Sequence, residues 1–395
     1  MKRVIYVETS EDGGGSSESM VQMITNLDQT QYKPYVLFVN DLLHTKYVKK
    51  LHQMGVPVFI CHDSIYTKSH AFRRFNLHLL KIVARLAPVL YIPLSKYLHR
   101  SAIHTLTDIV TREDINIIHL NISTSRDLFG IFVAQKYNIP CVSHIRSAKM
   151  LSFPAPAQKL ANEHVSIFIA ISNFVKDVWT ELGINPKKII IILNGIDPLS
   201  ADKKDYSDIP VKKKLTFCTV GRLVEWKNHS WLLASFRNYL SHRSDAQLLI
   251  IGDGPERNKL EQLVRSYNIE QSVTFAGTVE NPDILMKDAD IFVFPSRKEP
   301  FGRAVLEAMS LGMPSIASDS GGIPEFITHN INGLLVPLND IPGLTNAMIH
   351  LSTHGELATR LGTQAQKNAR EQFNSAQTTH KVEKIYKEIT SSQLE

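Results

Sequence analysis

Short apolar runs alternate with longer helix-forming segments along most of this chain, and that rhythm restricts the fold more than any other property of the sequence. Residues 2–7, 35–39, 56–61, 117–120, 141–144, 167–172 and 189–193 read as buried strands, with helices such as 124–136 between them. Strand and helix in turn predict a parallel sheet covered on both faces. The same rhythm resumes at 215–220 and continues through 247–251, 273–277, 291–294, 314–317 and 334–336. A length of 395 residues allows two such domains, each with its own core. Residues 198–214, between the two series, are polar and charged with few apolar side chains, and are expected to be a linker. The expected organisation is an N-terminal domain over 1–197, that linker, a C-terminal domain over 215–375 and a terminal helix over 376–395.

The most informative loop lies in residues 294–309, FPSRKEPFGRAVLEAM. A strand stops at Pro295, a loop follows, and from about Gly302 good helix formers run to Met309 before Gly312 and Pro314 halt them. The helix start at Phe301, Gly302 and Arg303 presents unpaired N–H groups and a partial positive charge, which attract phosphate. Glu299 stands before that start, and Glu307 lies roughly 6–8 Å down the helix axis from it. Carboxylates on both flanks of an anion site suit a ligand with hydroxyls on either side of a diphosphate, which is the shape of a nucleotide sugar. Alone the pair is a weak signal, because one loop charge and one solvated helix face give the same spacing.

Other loops at strand ends repeat the theme. After 215–220 the chain reads GRLVEWKN, in which Arg222 can hold phosphate oxygens bidentately and Lys227 can act as a point charge, although two solvated surface cations are the plainer alternative. Gly221 opens that loop, Gly252 opens the next, and the backbone from Gly277 to Val279 is available to a base. Near the start of the chain, EDGGGSS follows the first strand, and Gly14 and Gly15 let backbone approach a ligand at a helix N-terminus. The glycines lack the lysine of a P-loop and the spacing of a dinucleotide fingerprint. His144 ends a strand in CVSHIRSAK, where a side chain faces the ligand in an open α/β sheet, and Arg146 and Lys149 make its surroundings favourable to anions.

Residues 66–107 interrupt the alternation. They are long and apolar, and carry Lys68, Arg73, Arg74, Lys81, Arg85, Lys96 and Arg100 with no Asp or Glu before Asp108. Pro88 and Pro93 are expected to split the stretch into at least two helices, and together with Arg85 and Lys96 they interrupt any apolar run of about 20 residues, so the stretch is not expected to span a membrane. Cations near an anionic membrane surface contribute about 1 kcal/mol each, so peripheral contact with such a membrane is expected.

Composition excludes several other classes. The net charge of +6 admits anionic substrates, a membrane surface or nucleic acid, yet no aromatic–basic signature or zinc-finger spacing favours nucleic acid. Cys61, Cys141 and Cys218 stand far apart in or beside apolar runs, which suits small buried residues in a reducing compartment better than a disulfide frame or a metal site. The first apolar run is too short for a signal peptide, so the expected location is cytoplasmic, on the inner face of the cell membrane where the basic stretch engages it.

Taken in order, the GGG turn, NGID, GRLVEWKN, IGDGPE, FAGTV, the pair Glu299 and Glu307 with seven residues between them, SDSGGIPE and NGLLVP resemble the retaining glycosyltransferases of family 4 over nearly the whole chain. The resemblance implies the GT-B fold: two Rossmann-like parallel-sheet domains facing across a cleft, with a C-terminal helix crossing back to the first. It implies a nucleotide diphosphate sugar donor, expected to be a UDP-sugar, and a sugar or lipid-linked oligosaccharide acceptor. Arg222 and Lys227 are implied to hold the donor diphosphate, Glu307 the ribose and Glu299 the donor sugar. Gly302 and Arg303 offer backbone N–H groups to phosphate, Gly14 and Gly15 approach the same diphosphate, and His144 matches the active-site histidine. Pro300, where Gly is usual, and Arg303, where an apolar residue is commoner, are departures beside the sugar pocket. No metal is expected, because two cations and a helix end already neutralise the phosphates.

Two other functions are compatible with these motifs. One is a nucleotide-sugar epimerase or a phosphorylase on the same fold, the latter needing a lysine for a pyridoxal cofactor. The other is a non-catalytic nucleotide-sugar-binding subunit, against which the presence of Glu299, Glu307, Arg222 and Lys227 argues.

Overall fold

A run of four or five buried aliphatic residues ended by a turn former has one stable use in an alternating chain, a central strand with helices above and below. The computed structural model of the protein has thirteen strands of three to eight residues, all paired in parallel, among the described residues. It describes the whole chain except residues 11–13, 40–44, 63–69, 149–152, 198, 200–205, 207, 210, 212–213 and 392–395, and the side chains of 45, 70–74 and 77. Lys68, Lys149 and the side chains of Arg73 and Arg74 therefore lie outside the described residues. The chain folds as two units, Met1–Gly195 with Ser375–Glu395, and Ile196–Asn374.

In the first unit the strands are β1 (Lys2–Glu8), β2 (Tyr32–Val39), β3 (Val58–Cys61), β4 (Ile117–Leu120), β5 (Cys141–Ile145), β6 (Ile167–Ala170) and β7 (Ile189–Ile191), in the order β3-β2-β1-β4-β5-β6-β7. Val7 of β1 lies opposite Leu37 on one side and Leu120 on the other. The order reverses between β1 and β4, so the loops that follow them leave in opposite directions and open a crevice at the carboxyl edge. The Ser375–Ser391 helix belongs to this unit. Its Val382, Ile385 and Tyr386 join the core formed by Tyr6, Phe38, Ile117 and Val142, and Glu383 accepts a 2.7 Å hydrogen bond from the Asp28 N–H.

The second unit contains β8 (Thr216–Val220), β9 (Gln247–Ile251), β10 (Val273–Gly277), β11 (Ile291–Phe294), β12 (Ser315–Ser318) and β13 (Leu334–Val336), in the order β10-β9-β8-β11-β12-β13. Here the reversal falls between β8 and β11. Phe217, Leu248, Ile291 and Val293 pack with Leu232, Phe236 and Tyr239 of the His229–Leu240 helix to make the core. Two Rossmann-like parallel-sheet units with the last helix returned to the first form the GT-B organisation.

Two local expectations need correction. Residues 198–214 do more than link, because Tyr206 and Ile209 are buried in the core of the second unit. Pro93 does not break a helix: it is the third residue of the Tyr91–Leu98 helix, in the first turn, where its missing N–H has no intrahelical acceptor to lose. The split at Pro88 is as expected, at Ala87 between the His70–Leu86 helix and a short turn at Pro88–Leu90, and a second break falls at His99 before the Arg100–Arg112 helix. The three cysteines are buried, and none forms a disulfide. No helix among the described residues is long and apolar enough to cross a membrane.

Candidate active site

Because every strand of the second sheet is parallel, the loops after β8, β9, β10 and β11 emerge at one carboxyl edge. Gly221, Arg222 and Lys227 follow β8, Gly252 follows β9, Val279 follows β10, and Glu299, Phe301, Gly302 and Arg303 follow β11. The first and last of these loops flank the reversal between β8 and β11, and an ion pair joins them there. Lys227 Nζ lies 2.7 Å from Glu299 Oε2, with the side chains only 13% and 11% exposed. Ser296 Oγ donates to the same carboxylate oxygen at 2.7 Å. The ammonium also sits 4.5 Å from the centroid of the Trp226 ring and 4.7 Å from that of Phe294. Aromatic faces and a carboxylate hold it in one place.

Glycines let the loops come this close. Gly302 has φ +101° at the cap of the Arg303–Ser310 helix, and a side chain there would run into Ile323. Gly321, at φ +66°, packs against the Glu299 backbone, whose carbonyl accepts from the Gly322 N–H at 2.8 Å. Glu299 is thus fixed from behind by SDSGGIPE and from the front by Lys227. At the helix start, Arg303 Nε donates to Glu307 Oε1 at 2.8 Å, one turn on. Two cation–carboxylate pairs therefore bracket one helix N-terminus, whose first-turn N–H groups point along the axis. Arg222 is exposed and Val279 half-buried.

In the first unit, Gly14 caps the Gly15–Thr25 helix and His144 lies buried in β5. The structure adds a hydrogen-bonded chain at the carboxyl edge that the sequence did not disclose. The Glu8 carboxylate, at the end of β1, accepts from Ser10 N–H at 2.8 Å and from Asn121 Nδ2 after β4. Asn121 Oδ1 accepts from Arg146 Nε at 3.0 Å, Asn194 Oδ1 accepts from the same guanidinium, and Arg146 Nη2 meets His144 Nδ1 at 3.2 Å. Burial first, then the Arg146 charge, then His119 hold His144 well below the ordinary histidine range, so the ring is neutral near pH 7. In the loop after β4, Asp127 accepts from Thr9 and from the Ile122 and Ser123 N–H groups. Burial nevertheless raises its carboxyl to about 7. Of the partners of His144 in this chain, Arg146 had a sequence signal in its place two residues after His144 and Asn194 in opening the NGID motif; Glu8 and Asn121 meet them only through strand order.

Residues 45–198 match the family Glycosyltransferase Family 4, and residues 202–368 match Glycosyl transferases group 1. The chain is 28% identical over 298 residues to N-acetyl-alpha-D-glucosaminyl L-malate synthase of Bacillus anthracis, covering 72% of this chain and 77% of that protein. It is 26% identical over 302 residues to the UDP-Gal:alpha-D-GlcNAc-diphosphoundecaprenol alpha-1,3-galactosyltransferase of Escherichia coli, covering 71% and 78%. Anabaena HepE in complex with UDP-glucose has the same fold, with a TM-score of 0.77 at 19% identity over 98% of this chain and 100% of that one.

Proposed function

The chain belongs to the GT-B-fold glycosyltransferases of the group 1 and family 4 kind, and we propose that it moves a sugar from a UDP-sugar to an acceptor hydroxyl with retention of anomeric configuration. One observation carries this reading: the pairs Lys227–Glu299 and Arg303–Glu307 bracket a helix N-terminus at the reversal between β8 and β11. A diphosphate fits against the N–H groups and Lys227, with Arg222 and the backbone of Gly221, Gly252, Phe301, Gly302 and Arg303 around it. Glu307 accepts from ribose hydroxyls, Glu299 from the sugar, and the Val279 backbone meets the base. In the first unit, Gly14 and Gly15 offer a helix start to phosphate, and His144 offers a ring nitrogen to a sugar hydroxyl.

As the anomeric carbon becomes oxocarbenium-like, negative charge gathers on the leaving diphosphate. Lys227, Arg222 and the helix dipole stabilise it without reorganising, and no metal is required for that role. The acceptor hydroxyl attacks from the face the diphosphate leaves, passing its proton to a diphosphate oxygen. A panel of UDP- and GDP-sugars tested for protection against thermal unfolding identifies the donor. Release of nucleoside diphosphate that needs an acceptor then separates transfer from an epimerase or a binding subunit. Glu307→Ala should weaken free nucleotide binding, whereas Glu299→Ala should spare it and cut transfer. Equal loss of nucleotide affinity in both would contradict the division.

We further propose that the acceptor is lipid-linked, in the synthesis of a bacterial surface polysaccharide or glycolipid, and that the first unit rests on the anionic inner face of the membrane. Support comes from the His70–Leu86 helix and the turn after it, where Phe75, Ile82, Leu86, Val89 and Leu90 are exposed, Leu86 at 75% and Val89 at 82%. Phe75, Ile82 and Leu86 recur at helical spacing along one face, with the exposed cations Lys81 and Arg85 beside them. Protein should co-sediment with phosphatidylglycerol vesicles at low salt, less at high salt, and less again with Lys81→Glu plus Arg85→Glu. Wild-type protein left in the supernatant at low salt would remove the membrane assignment.

A further inference from the structure

A guanidinium carries only donors, so the 3.2 Å contact between Arg146 Nη2 and His144 Nδ1 has one reading. Nδ1 must supply the lone pair, and in the neutral ring the proton sits on Nε2. The arrangement is over-determined. Glu8 orients Asn121, Asn121 and Asn194 take the Nε and Nη1 protons of Arg146, and the planar fork then has Nη2 directed at the imidazole. His144 is 1% exposed, and its Nε2 has no hydrogen-bond partner among the described residues. The ring lines a cavity between the Gly15–Thr25 and Ser375–Ser391 helices, together with Arg146, Ser19, Asn194 and Thr378. A buried donor left without an acceptor is costly, and an oxygen of a bound molecule would relieve it.

We propose that Arg146 is a positioning residue: it holds His144 in the tautomer whose Nε2 bears the proton, so that the ring donates a hydrogen bond to an oxygen of the sugar substrate. This rests on the reading that His144 meets a sugar hydroxyl, and it goes further by excluding His144 Nε2 as a base toward the acceptor. The Nε2–H group directs itself at a hydroxyl or phosphate oxygen that has a lone pair to give.

The test uses the full chain labelled with 15N-histidine. Long-range proton–nitrogen correlations assign the tautomer of His144, its signals being those lost in His144→Gln. Wild-type protein should show Nε2–H, and Arg146→Met should show Nδ1–H or a mixture. Asn194→Ala, which loosens the guanidinium while leaving it in place, should give a smaller change in the same direction if Arg146→Met fails to fold. Arg146→Met should lower kcat about tenfold, the contribution of one hydrogen bond, with little change in donor KM. Added to His144→Gln, it should cost nothing further, because the two act as one device. Nδ1–H in the wild type, or an unchanged tautomer in both variants, overturns the proposal. So does a full additional loss when Arg146→Met is placed on His144→Gln, since Arg146 would then act on its own. These outcomes are separable from the donor assignment: a chain that binds no nucleotide sugar still reports its tautomer, and a wrong tautomer leaves transfer measurable.

Discussion

Lys227→Ala should lower kcat/KM for the nucleotide sugar by about 10²–10³, the usual loss when one preorganised donor to a developing negative charge is removed. The size of the effect follows from where the ammonium sits. At 13% exposure, 2.7 Å from Glu299 and between two aromatic rings, it acts through little water, and each charge is felt more strongly than at a surface. Arg222 is exposed, so Arg222→Ala should cost less, about tenfold. Truncating Lys227 also leaves Glu299 nearly buried with Ser296 but without that counter-ion, so stability should fall by about 1–3 kcal/mol once partial exposure is allowed for. Glu299→Gln added to Lys227→Ala should recover much of that stability and none of the activity. Unchanged donor kinetics in Lys227→Ala and in Arg222→Ala would remove the clamp.

Acidification should cost stability in both units. His229, buried at the start of its helix, is pushed down to about 4 by burial and then by the Lys227 charge. In the first unit burial alone brings His99 to about 4, and His119 and His144 also lie well below the ordinary value. An unfolded chain takes up these protons near pH 6.5, whereas in the folded chain His99 and His229 refuse them until about 4. The stability these rings contribute is therefore complete above about pH 6.5 and is lost as pH falls through 4. At about 1.4 kcal/mol per pH unit, His99 and His229 each cost about 2 kcal/mol by pH 5. Asp127 opposes this in the first unit. Its folded value near 7 gives stability that is complete below the unfolded carboxylate value and lost as pH rises through 7, so acidification strengthens it by about 2–3 kcal/mol at pH 5. The second unit contains no such offset from Asp127. Urea midpoints at pH 7.5 and pH 5 should show the second unit weakening, and His229→Gln should flatten its pH dependence; equal midpoints for wild-type protein at both pH values would contradict the assignment.

Much of the fold could be read from local pattern. Ile117–Leu120, Gln247–Ile251, Val273–Gly277 and Ile291–Phe294 fall where the apolar runs and their turn residues put them, to the residue. Parallel pairing followed from alternation, because a chain that inserts a helix between strands has no short turn with which to reverse. Pattern failed where its assumption failed. Residues 198–214 look like solvent because two buried side chains, Tyr206 and Ile209, are scattered among charges. In the second unit the candidate residues gather in loops beside their own strands, so motif and site nearly coincide. The first unit's chain from Glu8 through Asn121 and Arg146 to Asn194 joins residues far apart in sequence, and only the order β1-β4-β5-β6-β7 brings them to one edge.

The return of the Ser375–Ser391 helix to the first unit carries a consequence for how the protein is made. Synthesis proceeds from the N-terminus, so β1 to β7 leave the ribosome long before the residues that complete their core. Val382 and Ile385, each contributing about 1.5–3 kcal/mol when fully buried, and Tyr386, in hydrogen-bond contact with Tyr6 and His119, arrive only after the whole of the second unit. The nascent sheet waits with an apolar face uncovered while a later domain closes ahead of it. The expected order is therefore the second unit first, with the core of β1 to β7 completed only when the residues after 375 emerge, which limited proteolysis of ribosome-bound chains of increasing length would check.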